Sequence, residues 1–168
     1  PFKHENIDDW RDSLHHGLRY QVQNTNIVLH GGIDDIWFDQ KEEKIIVVEY
    51  KSQSNNKPVR KETYLAGTYR TGYKIQVDFY AYLLTKMNFA VSPIAYFYVC
   101  NANRHASGFN GRMMFEETIV PYKWNMSWIP KEVSEMIDTL NSYDVPDRNY
   151  SCENCAYAHQ RDLVKTGE

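Results

Sequence analysis

The chain is 168 residues long, about one domain's worth of polypeptide and too short for two full-sized domains. Its 42% hydrophobic and 14% aromatic residues, with 13 Tyr and 4 Trp, exclude a disordered chain. The net charge of −3 excludes a protein that coats nucleic acid by bulk electrostatics. No apolar run approaches the ~20 residues that a membrane-spanning helix needs, so we expect no membrane partner.

Cysteine usage indicates the compartment. Three cysteines, an odd and sparse number, do not form a disulfide framework. No secretory segment is visible, so we expect a cytoplasmic protein. The chain begins at Pro1 rather than Met. We therefore expect it to be an excised domain or a trimmed product, which belongs to a larger complex or has lost an upstream segment.

The first third of the chain predicts one helix and two strands. Asn6 is a good N-cap, and the helix that follows is predicted to end near Gly17. Apolar residues recur at helical spacing along it: Ile7, Trp10, Leu14 and Leu18. Two strands are then predicted over 27–38 and 44–51, joined by a polar hairpin connection over 39–43.

The rest of the chain predicts a helix, two strands and a last helix. A polar stretch over 52–60 precedes them, and a Gly/Asn-rich loop over 101–111 separates the two strands. The four elements are predicted over 73–87, 92–100, 112–120 and from Pro130 onward. The last helix carries one apolar stripe: Val133, Met136, Ile137 and Leu140.

This order of elements predicts an α/β or α+β domain with a central mixed β-sheet flanked by helices. We expect the domain to span 1–143. A polar C-terminal tail over 144–168 contains two of the three cysteines.

The chemistry is concentrated in Gly31-Gly-Ile-Asp34 and in Glu49-Tyr50-Lys51. Side chains alternate along a strand, so Glu49 and Lys51 project from the same side, about 7 Å apart. The preceding residues on that face are core aliphatics. Because an unpaired buried charge is costly, the two charges need a compensating partner or ion.

The predicted hairpin supplies a second carboxylate. If its turn is centred between Lys41 and Glu42, Asp34 lies directly opposite Glu49, with Cβ atoms about 5 Å apart. Two carboxylates this close repel each other unless a cation lies between them, and Mg²⁺ or Mn²⁺ accepts such oxygen ligands. Lys51 is then placed to contact an incoming phosphate or to help activate water. This arrangement indicates metal-assisted phosphodiester hydrolysis.

A structural alternative stays open at this point. An acid and a lysine two residues apart on an edge strand often form an exposed ion pair, which is worth at most about 1 kcal/mol. A change of one residue in the hairpin register would also move Asp34 away from Glu49.

Together with Gln76 and Tyr80, these residues resemble the PD-(D/E)XK nuclease superfamily. The order Gly31-x-x-Asp34, Glu49-x-Lys51 and Gln76-x-x-x-Tyr80 is similar to the RecB-like exonuclease branch, which includes the CRISPR-associated adaptation exonucleases. The resemblance implies a restriction-endonuclease-like core and a DNA-hydrolysing enzyme.

Carried over residue by residue, the resemblance implies that Asp34, Glu49 and the backbone carbonyl of Tyr50 bind the metal. It implies that Lys51 is the catalytic lysine and that Gln76 and Tyr80 line the DNA-facing side of the site. The branch often adds a histidine ligand from an N-terminal helix. No histidine here has matching context, and we read four of them as surface or packing residues: His4, His15, His16 and His30.

A basic stretch after the second strand is the expected path of the DNA backbone. We expect these residues to bind DNA: Lys57, Arg60, Lys61, Arg70 and Lys74. Tyr64, Tyr69 and Tyr73 interleave with them, either as a surface that stacks single-stranded bases or as packing residues. Taken alone, the stretch also reads as a solvated loop.

The tail pair Cys152 and Cys155 is similar to the C-terminal cysteines that hold an iron–sulfur cluster in relatives. Such a cluster takes four thiolates, and Cys100 is expected to be a buried, inert thiol. We therefore expect no iron–sulfur cluster in this chain as it stands. A zinc ion on the two tail cysteines, His159 and an outside ligand stays open.

Together these features predict a metal-dependent deoxyribonuclease, exonuclease-like, of DNA repair, recombination or defence. Its expected partner is single-stranded DNA or a duplex with an end. The alternative is a catalytically silent module of the same fold that binds DNA or a partner protein.

Overall fold

The structure is a computed structural model that describes residues 1–104, 111–144 and 146–166. The chain divides into two compact units, Pro1–Ile129 and Pro130–Glu168. The predicted boundary after residue 143 stays a prediction. None of the helices in the described ranges is long and apolar enough to cross a lipid bilayer.

Within the described residues, the first unit contains one short helix, one long helix and six strands, and the second contains two helices. The elements in chain order are α1 Ile7–Arg11, β1 Leu18–Gln21, β2 Val28–Gly31, β3 Asp35–Asp39, β4 Lys44–Gln53, α2 Thr71–Lys86, β5 Ile94–Ala102, β6 Phe115–Lys123, α3 Ile129–Asn141 and α4 Glu153–Thr166. A single 3₁₀ turn, Thr68–Arg70, leads directly into α2.

The predicted mixed sheet is confirmed. Its strand order is β3-β4-β5-β6, in which β4 and β5 are parallel and the two outer pairs are antiparallel. The parallel pair is joined through α2, as a parallel connection requires a long crossover. A separate two-stranded sheet is formed by β1 and β2.

The core lies on the sheet face formed by the odd-numbered residues of β4 and β5. Val47, Phe97 and Val99 are fully buried there, and α2 contacts β4 and buries Val77 and Leu84. Each such side chain contributes about 1.5–3 kcal/mol through its removal from water. Tyr50, on the opposite face of β4, stays 46% exposed. The candidate site therefore begins where the buried face of β4 turns from aliphatic to charged.

The predicted N-terminal helix is wrong beyond Arg11. The carboxylate of Asp12 accepts hydrogen bonds from the backbone N–H groups of Leu14 and His15, and this local turn replaces the next helical turn. Leu14 is consequently 85% exposed instead of packed. Gly17 has a φ of 83°, which glycine adopts without strain, and it turns the chain into β1.

The predicted strand over 27–38 is two strands in the structure, β2 and β3. Between them the backbone N–H of Ile33 bonds to the carbonyl of Trp10, so this segment leaves one sheet before joining the next. β1, whose first residue is the fully buried Leu18, was predicted as the end of a helix. Its pairing with β2 is a long-range contact, which the spacing of apolar residues along the sequence cannot predict.

The remaining predicted elements are confirmed with shifts of a few residues at their ends. β4, α2, β5, β6 and α3 correspond to the predicted strands and helices. The predicted Gly/Asn-rich loop falls partly in β5, and residues 105–110 lie outside the described residues. α4 was not predicted, since that segment was read as a polar tail.

Candidate active site

The predicted hairpin register is confirmed. Asp35 pairs with Val48 and Ile36 with Val47, so one residue further along Asp34 faces Glu49. The carboxylate of Asp34 accepts a hydrogen bond from the backbone N–H of Tyr50, with an N to Oδ2 distance of 2.8 Å. The hairpin thus brings the two predicted carboxylates to one side of the sheet edge.

Glu49 is a buried carboxylate with one unsatisfied oxygen. The residue is 1% exposed, and its Oε1 accepts a hydrogen bond from the Lys51 ammonium at 2.5 Å. Its Oε2 is buried and has no hydrogen-bond partner among the described residues. This burial excludes the alternative of an ordinary exposed ion pair.

The environment of Glu49 favours its neutral form in the metal-free protein. Burial, together with the nearby carboxylate of Asp34, raises the pKa of Glu49 from 4.5 to about 7, although the hydrogen bond and charge of Lys51 oppose this shift. A carboxylate that is buried and faces another carboxylate needs an additional positive charge to stay ionised.

α2 supplies the second wall of the site. The Lys51 ammonium donates to Oε1 of Gln76 at 3.1 Å, and Nε2 of Gln76 donates to the hydroxyl of Tyr80 at 2.8 Å. The ammonium also lies 4.3 Å from the centre of the Tyr73 ring, within range of a cation–π contact. Helical i, i+4 spacing places Gln76 and Tyr80 on one face of α2.

Gly31 allows β2 to approach this helix. A Cβ at position 31 would lie 2.9 Å from the Tyr80 ring, closer than real Cβ contacts. Only glycine therefore fits there without a shift of Tyr80. Packing against Tyr80 next to the site thus requires the glycine of the Gly-x-x-Asp sequence.

The donors present fit a hard divalent cation. Asp34 and Glu49 offer carboxylate oxygens on one side of the sheet, and no described residue bonds to the second oxygen of Glu49. Within the described ranges no group of three or more His, Cys, Asp or Glu side chains is arranged as a metal site. Mg²⁺ commonly uses only one or two protein carboxylates and keeps several waters, so two carboxylates suffice. The carbonyl of Tyr50 as a third ligand stays a prediction.

Asp35 has a separate, structural role that was not predicted from the sequence. Its Oδ1 accepts from the Arg11 guanidinium at 2.5 Å, and its Oδ2 accepts from the Tyr50 hydroxyl at 2.7 Å. Burial opposes ionisation of Asp35, but these hydrogen bonds outweigh it and hold its pKa below the ordinary value. Strand alternation, which sends neighbouring residues to opposite faces, is the signal that distinguishes Asp35 from Asp34.

The structure places the four N-terminal histidines in other contacts. His4 stacks on Trp10, with ring centres 4.4 Å apart. The ring nitrogens of His15 and His16 contact the carboxylate of Asp12, and His30 contacts the carbonyl of His16. These contacts agree with the prediction of surface or packing histidines.

The predicted DNA-binding residues divide into two groups. Lys57, Arg60 and Arg70 line a cavity of about 550 Å³ between β4 and α2. Lys61 and Lys74 do not line it; Lys61 is exposed and Lys74 is half-buried on α2. Of the interleaved tyrosines, Tyr64 is buried, Tyr69 is 74% exposed and Tyr73 packs beneath Lys51.

The tail cysteines lie at the start of α4. Cys152 precedes the helix and Cys155 lies in its first turn, and both are free, as is Cys100 in β5. A hydrogen bond from the Cys155 backbone N–H lowers the pKa of Cys152. Whether this pair binds a metal stays a prediction.

Comparison with known proteins identifies one family. A family model described as the PD-(D/E)XK nuclease superfamily matches residues 3–160 of the chain. Proteins of this superfamily are generally nucleases and typically use divalent metals such as Mg²⁺ or Mn²⁺. No curated protein and no solved structure gives a significant match. The matched range includes the hairpin and α2, and the mixed sheet flanked by helices agrees with a restriction-endonuclease-like fold.

Proposed function

Since the chain belongs to the PD-(D/E)XK nuclease superfamily, we propose that it is a metal-dependent deoxyribonuclease of the RecB-like, exonuclease type. The observation that carries the proposal is the buried carboxylate of Glu49. One of its oxygens binds Lys51 and the other has no partner in the part of the chain that the structure describes, and it faces Asp34 across the hairpin. A stable fold has little reason to retain such an oxygen unless a ligand completes it.

Asp34 and Glu49 are the proposed metal ligands, with the carbonyl of Tyr50 as a third. A divalent cation bound there supplies Lewis acidity to the phosphodiester. The hydrogen bond from the Tyr50 N–H holds the Asp34 carboxylate in place before any metal binds. The site is therefore largely preorganised by the backbone of β4.

Lys51 is the proposed cationic group at the phosphate. Three neighbours fix its ammonium: Oε1 of Glu49, Oε1 of Gln76 and the Tyr73 ring. A fixed ammonium stabilises negative charge that develops on a phosphoryl oxygen, because it needs no reorganisation during the reaction. Gln76, itself held by Tyr80, acts as a positioning residue for Lys51.

Cleavage of labelled DNA tests the proposal. End-labelled single-stranded and double-stranded DNA is incubated with the protein and Mg²⁺ or Mn²⁺, and we expect products that shorten progressively from an end. Lys51→Ala should lower the rate about 10²-fold or more, as loss of one preorganised electrostatic group does in other enzymes. Lys44→Ala is the matched control, because Lys44 begins the same strand and its ammonium lies beside Glu42 at the surface. Intact DNA under both metals, or equal rates for the two variants, would contradict the proposal.

Calorimetric titration with Mn²⁺ separates this enzyme from a silent nuclease-fold module that binds DNA or a protein. We expect Mn²⁺ binding that disappears in Glu49→Ala, since this variant removes the carboxylate with the unpartnered oxygen. A silent module would bind DNA with no such metal heat.

A further inference from the structure

The segment between β4 and α2 lines an open cavity whose volume is about 550 Å³. Cavities of about 300–1,000 Å³ hold small-molecule and cofactor-sized ligands. Gln53 at the end of β4 forms one side, and the 3₁₀ turn with Tyr69 and Arg70 forms another.

The lining of this cavity is cationic. Lys57, Arg60 and Arg70 are its charged residues, and none of the described residues that line it is acidic. The remaining polar lining side chains are Gln53, Asn55, Thr63, Tyr64 and Tyr69. Three cations with hydrogen-bond donors and no carboxylate favour an anionic ligand.

Arg70 is a buried cation for which the described ranges contain no ion-pair partner. It is 9% exposed, and its guanidinium lies 3.6 Å from the centre of the Tyr64 ring and 5.0 Å from that of Tyr69. It donates to the Tyr64 carbonyl and to Oε1 of Gln53, but its Nε is buried and has no partner within the described part of the chain. Rings and carbonyls compensate a buried charge only in part, so an anion bound in the cavity would stabilise Arg70 further.

The cavity adjoins the candidate active site. Gln53 follows Lys51 on the same face of β4, about 7 Å further along the strand. Arg70 immediately precedes α2, which carries Tyr73 and Gln76. The separation of Lys51 and Gln53 matches about two nucleotide steps of a stacked strand, at about 3.4 Å each.

We propose that this cavity binds a phosphate-bearing nucleotide of the substrate strand, one or two positions from the scissile phosphodiester. Arg60, Lys57 and the guanidinium of Arg70 contact the phosphate, and the exposed ring of Tyr69 stacks on the base. The inference rests on the proposed function, which identifies the anion as part of a nucleic acid. The phosphate is either the terminal phosphate of a strand or an internal one.

Binding of short single-stranded oligonucleotides tests the inference. Fluorescence anisotropy is measured at fixed salt in EDTA, with probes that carry a phosphate or a hydroxyl at the 5′ end, or a phosphate or a hydroxyl at the 3′ end. Lys57→Gln and Arg60→Gln should each raise the Kd about tenfold, the effect of losing one charge-assisted hydrogen bond to phosphate. Lys41→Gln is the matched control: it removes the same charge from an exposed lysine in the β3–β4 turn, at the other end of β4. Arg70→Gln is a secondary variant, because Arg70 also supports the fold.

The outcomes distinguish the two sources of phosphate. Tighter binding of one end-phosphorylated probe, lost in Arg60→Gln, identifies a terminal phosphate. Equal binding of all probes, weakened in Arg60→Gln, identifies an internal phosphate. If Lys57→Gln and Arg60→Gln bind as well as Lys41→Gln, or the wild type binds no probe, the inference is overturned.

Cleavage with Mg²⁺ or Mn²⁺, measured in parallel, keeps the two proposals apart. Cleavage by the wild type, together with binding that does not depend on the cavity, refutes only the cavity proposal. Binding that depends on the cavity, without cleavage, refutes only the nuclease proposal.

Discussion

Glu49→Gln should stabilise the metal-free protein at alkaline pH, although it removes a proposed metal ligand. The pKa of Glu49 in the folded protein is raised from 4.5 to about 7, first by burial and then by Asp34. Because the pKa of Glu49 is higher in the folded protein than in the unfolded chain, protonation of its carboxyl group favours folding. This contribution to the free energy of unfolding is complete below pH 4.5 and is lost as the pH rises through about 7. At about 1.4 kcal/mol per unit, ionisation of Glu49 then destabilises the fold by about 3 kcal/mol.

Urea unfolding in EDTA measures this effect. We compare wild type and Glu49→Gln near pH 4.5, the ordinary pKa of the carboxyl group, and again at about pH 8, where the folded group is ionised. The free energy of unfolding of the variant, relative to wild type, should rise by about 3 kcal/mol between the two conditions. Glu62→Gln is the matched control, since Glu62 is exposed and the difference there should not depend on pH.

Metal addition should remove the stability advantage that Glu49→Gln has at alkaline pH. Mg²⁺ at about 100 times its Kd stabilises the wild type by about 3 kcal/mol through mass action, and the variant hardly at all. A difference between Glu49→Gln and wild type that stays constant with pH would refute the assignment of Glu49 as a strained, buried carboxylate.

Two further predictions concern structural carboxylates. Asp35→Asn should lower the free energy of unfolding by about 1–3 kcal/mol because it weakens the bonds to Arg11 and Tyr50. Since the pKa of Asp35 is lowered by folding, urea titrations should show this difference above its ordinary pKa of 3.8 and lose it as the pH falls through the folded pKa. Asp78→Ala should lower the free energy of unfolding by about 1–3 kcal/mol for each buried donor that it leaves unpaired, measured in a thermal or urea melt, whereas Asp9→Ala, at an exposed position in α1, should stay near wild type. The buried carboxylate of Asp78 accepts bonds from Tyr122, Asn125 and Trp128.

The site was predictable because its geometry depends on short-range periodicity. Strand alternation places Glu49 and Lys51 on one face, a polar turn fixes the register with Asp34, and helical spacing places Gln76 beside Tyr80. These rules need only a few neighbouring residues, and the structure brings all five residues together as they predict.

The errors lie where distant contacts override local pattern. Leu14 and Leu18 fit a helix by spacing, but the Asp12 turn and the pairing of β1 with β2 determine the backbone there. The burial of Arg70 between Tyr64 and Tyr69 was not predicted either, because it depends on how the segment before α2 folds. Nor does local sequence indicate that Arg11, at the end of α1, pairs with Asp35 on β3.

Tyr50 links the functions of the two adjacent aspartates. Its backbone N–H donates to Asp34 on the side of the candidate site, and its hydroxyl donates to Asp35, which holds Arg11. Burial, followed by the contact with Asp35, raises the pKa of the Tyr50 hydroxyl to about 12, so it stays a donor at neutral pH. One strand residue thus fixes the carboxylates on both sides of the hairpin edge. Asp34 is therefore held in position by the fold itself, without any contribution from a ligand.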